Sequence, residues 1–197
     1  MRVEPVVLEN EFVRLEPITP EHLGELCKIG LEAEIWRWSP EQITTPDEMK
    51  KYIETALGEQ RRGASMPFVT IDKETGKIVG STRFGNIDVN NRRAEIGWTW
   101  INPAWQRTFV NTAAKLLMLA HAFENWKCIR VEFKTDAVNE KSRNAILRLG
   151  AKQEGIFRQH IITASGRVRD TVYFSIIRDE WPAVKQRLLG MTTQTAT

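Results

Sequence analysis

The chain has 197 residues, 42% of them apolar and 27% charged, and its 28 lysines and arginines against 25 acids leave a net charge of +3. A chain of this length buries roughly 70% of its unfolded surface without staples, so one globular domain over residues 1–197 is expected. So small a basic excess also argues against nucleic acid, whose partners carry a clustered basic face. Cys27 and Cys128 form neither a disulfide framework nor a metal-ligand spacing. The N-terminus MRVEPVVLENEF lacks a signal-like apolar core, and no apolar run nears the ~18 residues a membrane span needs. A cytoplasmic protein with no metal and no membrane partner is expected.

In chain order, residues 11–17 (EFVRLEP) alternate apolar and polar and predict a strand. Thr19-Pro20 starts a helix, with Thr19 as cap and Pro20 at the first helical position. Thr45-Pro46-Asp47-Glu48 repeats the device as a capping box. That second helix carries Met49, Tyr52, Ile53, Ala56 and Leu57 at helical spacing and stops near Gly63. Strands at 66–71, 77–84 and 94–101 are separated by turn compositions at Asp72–Gly76 and Asn90-Asn91, so they pair antiparallel. A helix over 112–125 puts Ala113, Leu116, Leu117, Ala120 and Phe123 on one face. A strand at 128–134, a helix at 140–149 ending at Gly150, and a hairpin of 153–162 and 167–177 about Ser165-Gly166 complete the order. The unit 94–134 is a βαβ crossover, which makes its two strands parallel neighbours. The fold class is therefore α/β of the α+β kind: a mixed, mostly antiparallel sheet with one parallel pair and helices on both faces. The tail Met191–Thr197 is polar and expected to fray.

Residues 106–112 begin a helix just beyond a strand. A helix start leaves free N–H groups and partial positive charge, an anion site to which Arg107 adds a full charge. An ordinary βα connection capped by Asn111 or Thr112 has the same spacing. Neither a G-x-x-x-x-G-K-[ST] nor a G-x-G-x-x-G loop is present.

The run EIGWTWINPAWQ, the turn and helix after it, FKTDAVNEKSRNAILRLGAKQEG and GRVRDTVYFSI together resemble the GNAT superfamily, and more closely its RimJ/RimL-type N-acetyltransferases. The resemblance runs from about residue 7 to 188. It implies a GNAT-like fold with a splayed parallel pair, and transfer of acetyl from acetyl-CoA to a primary amine without a covalent enzyme intermediate. The amine belongs to a protein N-terminus or a small molecule. A non-catalytic acyl-CoA-binding or interaction protein of the same fold is the alternative, and homodimers are common among such proteins.

The family's Q/R-x-x-G-x-G/A turn holds the CoA diphosphate on main-chain amides. Gln106 matches its first position, and Phe109 and Asn111 stand where the glycines belong, so residues Gln106, Arg107, Thr108, Phe109, Val110, Asn111 and Thr112 become the implied CoA turn. If position 109 needs φ > 0, Phe costs roughly 1–2 kcal/mol over Gly. Either the turn adopts ordinary dihedrals with Phe109 packed aside or against CoA, or cofactor binding is weakened. Thr99, Trp100 and Ile101 occupy the splayed strand, with Thr99 and Ile101 expected to offer main-chain groups to the CoA arm. Asn139 matches a residue that contacts the CoA arm, and Ser142 one proposed to donate the thiol proton or, since a hydroxyl is a poor acid, to orient the thiol; by themselves they also read as an N-cap and a first-turn Ser. Acetyl transfer needs a neutral amine and gains from a base. Glu95 and His160 are the candidates, with a paired Glu and a surface His as plainer readings. Where RimL-like proteins carry a Glu base this chain has Ile161, and the Tyr acid of many GNAT enzymes has no evident equivalent. His22 and His121 are expected to be structural. Trp36 and Trp38 could line the acceptor wall or pack in the core. Asp170 could hold a cationic substrate or pair with Arg167 or Arg169.

Overall fold

The structure, a computed structural model, describes residues 1–193. Strands β1 (Leu8–Glu9) and β2 (Val13–Pro17) pair through a turn in which Asn10 Oδ1 accepts the amides of Phe12 and Val13 at 3.0 and 2.9 Å. One 3-10 turn leads into α1 (Leu23–Gly30), and there the Thr19 amide donates to His22 Nδ1 at 3.0 Å, so His22 is a capping residue. A short α2 (Ala33–Trp36) precedes α3 (Pro46–Arg61). The α3 start closes as a capping box: Glu48 N donates to Thr45 Oγ1 at 3.3 Å, and the Glu48 carboxylate accepts the Thr45 amide at 3.0 Å.

Strands β3 (Met66–Asp72), β4 (Ile78–Asp88) and β5 (Arg93–Ile101) form an antiparallel meander. Then come α4 (Val110–Ala120), β6 (Arg130–Asp136), α5 (Glu140–Leu149), β7 (Lys152–Ile162), β8 (Val168–Ile177) and α6 (Trp181–Thr193). Gly150 (φ 102°) ends α5 and Gly166 (φ 80°) turns the last hairpin, both left-handed positions that suit glycine. Among the described residues eight strands share one sheet in the order β1-β2-β3-β4-β5-β6-β8-β7, in which only β5 and β6 run parallel.

Four elements depart from expectation. The helix over 112–125 starts at Val110, and its last five residues, His121–Asn125, wind as a π-helical turn. The strand Leu8–Glu9 and the helix α2 were not foreseen. The C-terminal helix was missed as well, although Trp181, Val184 and Leu188 lie at helical spacing and are buried. Met191–Thr193, expected to fray, end that helix, and residues 194–197 lie outside the described residues.

Two cores flank the sheet. One lies under α4, α5 and α6 and contains the fully buried rings of Phe68, Phe84, Phe133 and Phe174, each worth about 1.5–3 kcal/mol by burial. The other lies under α1–α3 and takes sheet residues only from the β2–β5 side, Val69 and Trp100 among them. The β6-β8-β7 half gives no residue to that core, and nearly every residue of β7 is exposed. Among the described residues no helix is long and apolar enough to cross a membrane, and no cluster of His, Cys, Asp and Glu has the geometry to hold a metal.

Candidate active site

β5 and β6 are partners only over Arg93–Glu95 and Arg130–Glu132. Beyond that they separate, because β6 stays with β8 as far as Asp136 while β5 stays with β4 as far as Ile101. The apex of the V is tied across by a salt bridge, Lys134 Nζ to Glu95 Oε2 at 2.7 Å, and Asn86 donates to the same oxygen at 2.7 Å. Burial lowers the Lys134 ammonium, but the Glu95 carboxylate outweighs it, and the net shift is above the ordinary lysine value.

The arm of the V formed by β5 carries a bulge. Arg83 opposes Gly97 and Ser81 opposes Trp100, so Trp98 and Thr99 together face the single residue Thr82. Trp98 takes φ 48°. Its ring lies over Gly85, where a Cβ would come within 2.2 Å of it, and the Arg83 guanidinium stands 5.0 Å from its centroid. The extra residue changes which side chain faces which helix layer. Ala94 and Ile96 point to the α4 core, and after the bulge Thr99 does so too, while Trp100 joins the α1–α3 core. Asn102 donates its amide to Val79 O on β4 at 2.9 Å. Strand alternation therefore turns the main-chain groups of Ile101 and Thr99 toward β6, into the gap.

At the wide end of the V lies the turn into α4. Phe109 has φ −69°, so its backbone is ordinary, and the left-handed residue of the turn is Arg107 at φ 63°. The cost expected for Phe109 does not arise. Its ring packs aside, 5.1 Å from that of Phe12. Thr108 Oγ1 accepts the Val110 amide at 3.3 Å, which leaves the amides of Phe109, Asn111 and Thr112 without an acceptor in the helix. Asn111 Oδ1 is buried without a partner, as expected if a bound molecule supplies the missing donor. Gln106 Nε2 donates to Ile101 O at 2.9 Å, and its oxygen accepts from Lys141 at the start of α5. The turn, the splayed strand and the α5 start thus meet at one mouth. There Asn139 caps α5 through the Ser142 amide at 3.0 Å, and among the described residues the half-buried Ser142 hydroxyl has no hydrogen-bond partner.

Other expected residues lie elsewhere. Trp36 is 4% exposed, bonded to Gly30 O at 2.7 Å and packed on Trp100 at 5.6 Å, so it belongs to the core. Trp38 is half-buried, 5.7 Å from the Arg167 guanidinium. Asp170 pairs with neither arginine. It accepts the Gln159 amide at 2.6 Å, and the buried Asp136 holds Arg167 and, at 3.9 Å, Arg169. Glu95 is the paired residue of its plainer reading, and His160 is exposed on β7, edge-on to Phe157 at 5.3 Å and to Tyr173 at 5.8 Å. His121 packs 4.9 Å from Trp126 and burial lowers its pKa, in keeping with a structural role.

The sequence reading missed Lys115, which lies on α4. Its amine is fully buried, donates to Thr99 Oγ1 at 2.6 Å and Thr82 Oγ1 at 3.0 Å, and has no carboxylate partner; burial brings its pKa down to about 7. The signal in the sequence is weak: Ala113, Ala114, Leu116 and Leu117 flank the lysine, but four positions away on either side stand a polar Asn111 and an apolar Leu119.

A splayed parallel pair leading to an amide-lined helix start suits an extended ligand with an anionic end. Residues 13–152 match the family described as acetyltransferase (GNAT) domain. A Bacillus subtilis (strain 168) relative, provisionally named ribosomal N-acetyltransferase YdaF, is 31% identical over 182 residues, 91% of this chain and 97% of its own. A crystal structure of a GCN5-related N-acetyltransferase from Brucella melitensis is 32% identical with a TM-score of 0.87, covering 95% of this chain and 85% of that one. Mycobacterium smegmatis RimJ, solved with CoA-disulfide, shares the fold at 23% identity and a TM-score of 0.83, over 95% of each chain. The chain belongs to the GNAT acetyltransferase family, and it is an acyltransferase whose fold is that of RimJ/RimL-type members.

Proposed function

We propose that the protein transfers acetyl from acetyl-CoA directly to the primary amine of a protein N-terminus, in the cytoplasm. The observation that carries this reading is the separation of β5 from β6 after three paired residues, with main-chain groups of Thr99 and Ile101 facing the gap. The amides of Phe109, Asn111 and Thr112 suit a diphosphate, and the exposed Arg107 adds charge beside them. An arm laid along Ile101 and Thr99 brings its thioester to the bulge, where an unpaired main-chain amide suits the carbonyl oxygen. The free hydroxyl of Ser142 is the partner for the departing sulfur. The name of the B. subtilis relative favours a protein acceptor over a small amine.

Neither expected base is ready for that role. Glu95 already has its charge matched by Lys134, and His160 stands on β7, separated from β6 by β8.

Calorimetry with acetyl-CoA tests the site, and thiol release tests the chemistry. The expected result is binding well below millimolar concentration, with faster release on peptides with a free serine or alanine N-terminus than on spermidine. No heat at millimolar acetyl-CoA refutes the site. Binding without release on any amine leaves an acyl-CoA-binding protein.

A further inference from the structure

The reaction moves one proton from the acceptor nitrogen to the leaving sulfur, and the two expected bases are engaged or remote. On the α4 side of β5, Lys115, Thr82 and Thr99 form a connected set: the amine to Thr99 Oγ1 at 2.6 Å, to Thr82 Oγ1 at 3.0 Å, and the two hydroxyls 2.8 Å apart, with Gly97 O a further acceptor 3.3 Å from Thr99 Oγ1. Thr99 is exposed and belongs to the bulge at the gap, whereas Lys115 lies behind it in the core. The set therefore joins a sealed amine to the place where the thioester is read to sit.

Resting on the acetyl-transfer reading, we propose that Lys115 is a positioning residue that exchanges the reaction's proton through the Thr99 hydroxyl. As the C–N bond forms, the nitrogen gives its proton to Thr99 Oγ1, which passes its own to the lone pair of Lys115. As the C–S bond breaks, the same path returns one proton to the sulfur. Atoms and charge balance, and no further reactant is required.

The relay needs an uncharged Lys115, and its surroundings supply one. The charged residues of the packed elements are engaged elsewhere: Glu95 with Lys134, Arg83 with Glu59, Arg14 with Glu16, Lys73 with Glu9 and Lys185 with Glu124. His121 lies six residues further along α4, against Trp126. None of them acts on the Lys115 amine, which burial alone holds near pH 7.

The test uses the full chain, acetyl-CoA and a hexapeptide with a free serine N-terminus, assayed by thiol release from pH 5.5 to 9.5. Lys115→Met and Thr99→Val are expected to lower kcat at least tenfold, to leave KM for acetyl-CoA within about twofold, and to remove the rise in kcat through neutrality. Thr99→Ser restores kcat to within about threefold, since it keeps the hydroxyl. Lys115→Met with wild-type kcat and an unchanged pH profile, or Thr99→Val as active as Thr99→Ser, overturns the relay. A second measurement needs no acceptor. In protein labelled with 13Cε-lysine, the Lys115 resonance is expected to titrate near neutrality and to shift with CoA and in Thr99→Val. Titration near the ordinary lysine value of about 10.4, or indifference to both changes, overturns the proposal. A wild-type protein that releases no thiol counts against the acetyl-transfer reading, and the resonance then decides the relay by itself.

Discussion

The two faces of β5 each hold a lysine amine, and the two are in opposite states. On the side away from α4 Lys134 is tied to Glu95 and its charge is reinforced. On the α4 side Lys115 has only hydroxyl partners and is discharged near neutrality. The difference shows what a partner decides. A buried cation beside a carboxylate persists, and one beside neutral dipoles does not repay its lost hydration and gives up its proton. One strand thereby offers a structural ion pair and a titrating group a few residues apart.

The sharpest way to break this comparison is Lys134→Met, which strands the Glu95 carboxylate. A loss of about 3–5 kcal/mol is expected in urea unfolding, most of it recovered in the double change with Glu95→Leu. A neutral single change would show that the pair is not structural. Lys115→Met should act in the other direction, with a net gain in stability at pH 7, because the variant no longer buries an amine that has lost its hydration. The unfolded chain holds the Lys115 proton between pH 7 and 10.5 and the folded one does not. Wild-type stability therefore rises with pH across that window, by at most about 1.4 kcal/mol per unit from this group, and the variant should lose that rise. Gly85→Ala pushes a Cβ into the Trp98 ring that the bulge places there. It is expected to cost about 2 kcal/mol and to weaken acetyl-CoA binding in the same calorimetric titration. The smallest effect is that of Ser142→Ala, a tenfold or greater fall in turnover, about 1.4 kcal/mol, with an unchanged melting temperature because the hydroxyl holds nothing in the protein.

Much of this is legible in the sequence. Thr45–Glu48 announces a capping box, Asp72–Gly76 a hairpin, Gly150 a helix stop, and the crossover between 94 and 134 the parallel pair, because each rests on local backbone chemistry. The bulge was not legible. GWTW alternates as a plain strand does, and only the packing of Trp98 over Gly85 makes φ 48° acceptable there. Lys115 was hidden for a related reason. A lysine on a helix reads as solvated unless the layer that covers it is known, and α4 is buried almost all round, from Val110 to Leu119. The Phe109 question had a local answer in the wrong place, since the left-handed turn residue lies two positions earlier, at Arg107.

Gln106 spans the mouth of the V, with its nitrogen on Ile101 O and its oxygen on Lys141. A guest seeking that carbonyl must first dislodge a latch already satisfied at both ends. On the acetyl-transfer reading, the newcomer's hydrogen bond stands in for the one it displaces, so this contact is expected to bear on how fast a ligand is admitted more than on how tightly it is retained. Trimming the latch, as in Gln106→Ala, should quicken arrival and leave the equilibrium nearly where it was.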